Sequence, residues 1–132
     1  MPAEPTSPLV LVVEDDPDLR RVVCLQLTAS GFAVAEAGDG EAGFARLQDC
    51  RPACVITDLM MPALDGFGLL KRIRTIDALS DLPVLVLTAS ADDRCRLRSF
   101  QYRADAYLGK PFDLAELTAT VCRLCADSQP VA

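Results

Sequence analysis

Ala53-Cys54-Val55-Ile56-Thr57-Asp58 is an apolar run that stops at a carboxylate, and three other apolar runs of the chain likewise end in a group able to handle charge. Leu9-Val10-Leu11-Val12-Val13 leads into Glu14-Asp15-Asp16, Val84-Leu85-Val86-Leu87 into Thr88, and Ala106-Tyr107-Leu108-Gly109 into Lys110. Each run has the length and composition of a strand. If the strands are parallel, their carboxyl ends share one edge of a sheet, where open α/β folds hold their ligands. With Asp16 set aside as a helix cap, that edge collects three carboxylates (Glu14, Asp15 and Asp58), a hydroxyl and an ammonium.

Between these runs the apolar period changes, as it does in repeated strand-helix units, and five such units fit. After the strand Leu9 to Val13, Asp16 is placed to cap a helix whose first position is Pro17, and Gly31 closes it. A weaker strand, Ala33 to Ala37, passes Gly38 and Gly40 into a helix carrying Phe44 and Leu47. The third strand is Ala53 to Thr57. Its helix, Phe67 to Arg74, lines up Phe67, Leu70 and Ile73, and the linker at residues 75–81 reaches Pro83, which can open the fourth strand. A fourth helix is expected over Asp92 to Tyr102, a fifth strand over Ala106 to Leu108 and a last helix over Asp113 to Ala126. Residues 1–8 and 127–132 read as tails around one domain at residues 9–126.

Composition limits the function. The 132 residues suffice for one core, and with 51% hydrophobic and 24% charged residues the chain reads as a soluble globular domain. No apolar stretch reaches the roughly 18 residues of a spanning helix, and the N-terminus lacks a basic segment before its first apolar run. A cytoplasmic protein with no membrane insertion is expected. A net charge of −6 argues against direct binding of nucleic acid. The six cysteines read first as small apolar residues, because a chain without an export signal keeps its thiols reduced. Cys122 and Cys125 sit in a helical pattern rather than a redox or zinc motif, and a disulfide between Cys50 and Cys54 has a low prior.

Charge then defines a candidate site. Two carboxylates about 4 Å apart repel by roughly 4 kcal/mol at an effective dielectric near 20, so Glu14, Asp15 and Asp58 call for a cation. With no histidine in the chain and no cysteine at this edge, oxygen donors favour Mg²⁺ over zinc. Such an ion beside Lys110 and Thr88 would cradle a phosphoryl group, with Asp58 as candidate nucleophile. Asp16 reads as a cap, and Asp65-Gly66 as turn chemistry with a permissive backbone before the third helix; neither is assigned to the site.

The segments VVEDDPDLRR, VITDLMMPALDG, VLTAS and YLGKPF resemble, in order and spacing, the signature blocks of the bacterial two-component response-regulator receiver domain, in its single-domain, chemotaxis-regulator-like form. The resemblance covers Leu9 to Ala126. It implies a flavodoxin-like, doubly wound α/β fold with a five-stranded parallel sheet in the order 2-1-3-4-5 and helices on both faces. It also implies that Asp58 accepts a phosphoryl group from a histidine kinase or phosphotransfer protein, and that Mg²⁺ is held by Asp15, Asp58, the Met60 backbone carbonyl and, through water, Glu14. Lys110 would pair with the phosphoryl group, Thr88 and Tyr107 would be the switch positions, and the Lys110-Pro111 bond would be cis. The face made by the fourth helix, fifth strand and last helix would then change its partners, whether a downstream protein or an output domain. The protein would act as a regulator in a phosphorelay rather than as an enzyme, apart from self-phosphorylation by phosphodonors and slow autodephosphorylation.

Some positions depart from the family pattern. Arg103 replaces the usual glycine before the fifth strand, and Gly109 stands where a larger side chain is common. Met60 and Ser90, two places past Asp58 and Thr88, offer no carboxamide or carboxylate to hold an attacking water, so a persistent phosphoryl state is expected. Thr120 and Cys122 stand where dimerising receivers carry arginines, which points to a monomer or weak dimer. Two alternatives are a pseudo-receiver scaffold and a phosphohydrolase of the haloacid-dehalogenase kind. The complete set Glu14, Asp15, Asp58, Thr88 and Lys110 argues against the first; against the second, that class carries its nucleophile in a D-x-D motif after the first strand, whereas Asp58 follows the third strand, is followed by Leu59 and Met60, and has no second carboxylate placed to act as acid.

Overall fold

Four of the five residues in strand β1 (Leu9–Val13) are buried, because β1 has a parallel neighbour on each side. A computed structural model describes residues 8–59, 61, 64–88 and 104–128. In it, β1 pairs with β2 (Ala33–Ala37) and β3 (Cys54–Asp58), β3 with β4 (Val84–Thr88), and β4 with β5 (Ala106–Gly109). The order is β2-β1-β3-β4-β5, all parallel, as expected.

Alternation along the strands divides the core into two layers. Val10, Val12, Cys54, Ile56, Leu85, Leu87 and Leu108 face helix α1 (Pro17–Ala29) and the C-terminal helix (Leu114–Ser128), which contribute Val23, Leu27, Leu117 and Val121. Leu11, Val13, Val55, Val84 and Val86 face α2 (Gly40–Asp49) and α3 (Gly66–Thr75), with Leu47, Phe67, Leu69, Leu70 and Ile73. A sheet apolar on both faces needs cover on both, and helices on both faces supply it.

Caps fix where the helices begin. The Asp16 carboxylate accepts from the N–H groups of Asp18 (3.0 Å) and Leu19 (3.4 Å) ahead of Pro17, and Gly31 leaves α1 with φ at +99°. Asp39 caps α2 through Ala42 N at 2.7 Å, and Asp65 caps α3 through Gly68 N at 2.9 Å. At the other end of the sheet Asp105 accepts from Val84 N (2.8 Å) and from the Arg74 guanidinium (2.9 Å), tying the start of β4 to α3 and to the approach to β5.

Several boundaries differ from the sequence expectation. β3 runs from Cys54 to Asp58, one residue later than expected, because Leu59 N bonds Leu87 O at 2.9 Å and keeps Asp58 in the ladder. Pro83 precedes β4 and gives its carbonyl to Val55 N (2.9 Å). β5 extends to Gly109, since Lys110 N bonds Thr88 O at 2.8 Å. A 3-10 turn, Asp77–Leu79, occupies the linker before Pro83. The C-terminal helix continues to Ser128, two residues past the expected end, as no glycine or proline intervenes before Pro130. The expected fourth helix at Asp92 to Tyr102, the tail residues 1–7 and 129–132, and Met60, Ser90 and Arg103 lie outside the described residues.

Among the described cysteines, Cys24, Cys54 and Cys125 are buried core residues, Cys50 is half-buried and Cys122 is exposed. Cys54 lies beside Cys125 of the C-terminal helix and its thiol donates to Val55 O at 3.8 Å, while the Cys50 thiol turns to Arg46 O at 3.1 Å. Among the described residues no helix is long and apolar enough to cross a membrane.

Candidate functional site

β1 and β3 are adjacent and in register, so the acids that follow Val13 are brought beside Asp58. Carboxylate oxygens of Glu14, Asp15 and Asp58 all lie within 4.8 Å of one another. Their environments differ. Glu14 is 1% exposed and Asp58 6%, whereas Asp15 faces solvent. Asp16, as expected, is occupied as the α1 cap.

Lys110 joins this cluster from the end of β5. Its Nζ donates to Glu14 Oε1 at 3.0 Å and to Asp58 Oδ2 at 3.1 Å, and the Lys110-Pro111 bond that turns the chain there is cis. Burial disfavours the Lys110 charge, but its bonds to Glu14 and Asp58 outweigh that and raise the ammonium above its ordinary value. For Glu14 burial dominates and raises the carboxyl, although the Asp16 N–H (3.1 Å to Oε2) and the Lys110 ammonium pull it down.

Thr88 is buried at the last place of β4, opposite Gly109, and Asp58 lies opposite its neighbour Leu87. Tyr107 is half-buried on β5 opposite Val86 and packs against the layer covered by α2 and α3. The structure thus brings Glu14, Asp15, Asp58 and Lys110 into contact or near-contact, and sets Thr88 and Tyr107 on the two strands beyond. Met60 is outside the described residues.

Two residues escaped the sequence reading. Gly66 supplies more than the permissive backbone expected before the third helix, because it allows close approach: a Cβ there would run into the Asp58 carbonyl oxygen and lie 2.8 Å from Leu59 Cα. The Gly66 N–H also bonds Leu59 O at 2.9 Å, so α3 begins directly against the segment that follows Asp58. Arg20 donates from Nη1 to the Glu14 backbone carbonyl at 2.8 Å and from Nε to Glu36 Oε1 at 3.1 Å. Its one signal is position. Arg20 lies one helical turn after Asp16, and helical side chains lean back toward the N-terminus, which brings it over the acidic loop.

The donor set fits a hard divalent cation. It offers carboxylate oxygens only, clustered more tightly than like charges tolerate without compensation, with one carboxylate open to solvent. Asp15, Asp58 and Glu14 are the described side chains able to hold it.

Residues 10–122 match the family model described as the response regulator receiver domain. The chain is 38% identical over 114 residues to the DNA-binding dual master transcriptional regulator RpaA of a Synechocystis species, covering 86% of this chain and 47% of RpaA. It is 42% identical over 116 residues to the transcriptional regulatory protein PrrA of Mycobacterium tuberculosis, covering 88% of this chain and 49% of PrrA. The chain therefore spans about half the length of these curated relatives. Its fold is similar to the signal receiver domain of a signal transduction histidine kinase from Syntrophus aciditrophicus, with a TM-score of 0.88, 28% identity and 96% of each chain covered.

Proposed function

This chain belongs to the response regulator receiver domain family of two-component signalling, and from that membership we propose that Asp58 is its phosphoacceptor. The observation that carries the reading is the Lys110 ammonium set between Glu14 and Asp58 in a cluster of three carboxylates. An isolated acidic cluster would be ordinary; one with a buried-edge cation aimed at the most enclosed aspartate is suited to handling a dianion.

An Asp58 carboxylate oxygen attacks the phosphorus of the donor, the donor's bond to phosphorus breaks, and an acyl phosphate forms on Asp58. Lys110 pairs with the incoming phosphoryl oxygens as its bond to Asp58 is released, and the Thr88 hydroxyl donates to one of them. Asp15, Asp58, the Met60 carbonyl and, through water, Glu14 would hold Mg²⁺, which when bound would supply charge neutralisation at those oxygens. Movement of Thr88 toward the phosphoryl group makes room for Tyr107 to turn, which alters the surface around β5 and the C-terminal helix. A complete change of state requires a preference of about 5.5 kcal/mol. The phosphodonor is a histidine kinase or phosphotransfer protein in the cytoplasm, and the altered surface is read by a downstream protein partner. The receiver unit is residues 9–126, and its phosphoryl group is lost slowly.

Intact-mass measurement after incubation with Mg²⁺ and a small acyl phosphate tests this. Gain of one phosphoryl group is expected, absent in Asp58→Asn and absent without metal. A folded protein that gains none from this donor or from a phosphorylated histidine donor would instead be a phosphorylation-independent scaffold. A half-life of seconds would contradict the slow loss.

A further inference from the structure

Glu14 is held at every polar atom it has. Its N–H bonds Ala37 O at 3.1 Å, Oε1 receives Lys110 and Oε2 receives the Asp16 N–H. Its carbonyl oxygen accepts from Arg20 Nη1 at 2.8 Å, the only bond to that atom among the described residues. This carbonyl belongs to the peptide unit linking Glu14 to Asp15. Its orientation sets ψ of Glu14 and φ of Asp15, and so the direction in which both carboxylates leave the backbone.

Arg20 is itself anchored. Its Nε meets Glu36 on β2 at 3.1 Å, and its Nη1 lies so near Gly38 that a Cβ there would be 3.2 Å away. The Arg20 side chain is only 23% exposed. One guanidinium thus spans the first turn of α1, the end of β1 and the edge strand β2, using its fork to engage a carbonyl and a carboxylate together. A lysine, with one point of charge, cannot reproduce that geometry.

We infer that Arg20 is a positioning residue for the metal site: it holds the Glu14-Asp15 peptide so that both carboxylates converge with Asp58 on a divalent cation. The inference rests on the Mg²⁺ reading of the acidic cluster. It makes a claim opposite in sign to simple electrostatics. Arg20 is a cation near a cation site, so its charge alone weakens metal binding, and its removal would tighten it. Positioning predicts the reverse.

Mg²⁺ affinity by isothermal titration calorimetry on wild type, Arg20→Gln, Arg20→Lys and Glu36→Gln separates the two, with thermal melts of the metal-free proteins run alongside. Arg20→Gln should weaken Mg²⁺ binding about tenfold, within the range for residues that orient metal ligands. Arg20→Lys, which keeps the charge but not the fork, should fall between wild type and Arg20→Gln. Glu36→Gln should weaken binding less than Arg20→Gln and add nothing to it in the double variant, because both act through one side chain. Equal or tighter binding by Arg20→Gln overturns the inference while leaving the metal reading intact. Wild-type affinity in Arg20→Lys and Glu36→Gln does the same should Arg20→Gln fail to fold. A wild-type protein that binds no Mg²⁺ overturns the inference and the metal reading together.

Discussion

Glu14 and Asp15 are neighbours in sequence and opposites in environment. Burial raises the Glu14 carboxyl above the ordinary 4.5. A folded-state value above the unfolded one means that the folded protein binds more protons between the two, so metal-free stability falls as pH rises through that window and stays lower above it. Glu14→Gln, which removes the buried charge and keeps an acceptor for Lys110, should therefore make the metal-free protein more stable than wild type at pH 7. The advantage should shrink to nothing as pH falls below 4.5, which thermal melts across pH will show. The same variant should bind Mg²⁺ more weakly. The chemistry of this residue was legible in the acids following an apolar run. Its burial was not, because enclosure by Lys110 and Ala37 depends on strands far apart in sequence.

At the scale of elements, two glycines show how differently the same residue type can be required. Gly31 ends α1 with φ at +99°, and nothing lies within 4 Å of where a Cβ would be. Gly31→Ala should cost about 1 kcal/mol, the backbone strain alone. Gly66 has its would-be Cβ against the backbone of Asp58 and Leu59, which cannot yield as a flexible side chain would. Gly66→Ala should cost about 2–3 kcal/mol, the scale of overpacking, and should disturb Asp58 as well. Urea denaturation of the two variants will rank them, and equal losses would contradict the distinction. Helix starts were readable from Asp16 and Pro17 because caps act locally, and the stripe Phe67, Leu70 and Ile73 of α3 is buried as its period implied. The position of Asp58 inside β3 was not readable. It depends on the ladder to β4, formed by a segment some 30 residues away.

For the molecule as a whole, the cluster of carboxylates at one sheet edge is a liability that a cation relieves, so binding and stability are coupled. At a hundred times its Kd, Mg²⁺ should stabilise the protein by about 2.7 kcal/mol, seen as a rise in Tm that a chelator reverses. Asp58→Asn should lose most of that rise, and an undiminished rise would place the ion elsewhere. By itself the sequence determined the strand-helix alternation, the parallel α/β class, the single acidic edge and the family, because period, caps and the order of the motif blocks are properties of the chain read in one dimension. Only the tertiary structure decided which acids are buried, that Lys110 bridges Glu14 and Asp58, that Gly66 is required by the backbone it touches, and that Arg20 rather than Arg21 reaches the acidic loop. The Lys110 contacts join segments separated by whole strands and helices, and even the shorter-range contacts of Gly66 and Arg20 form only where helices are packed against the strand ends, so packing, not local propensity, sets these distances.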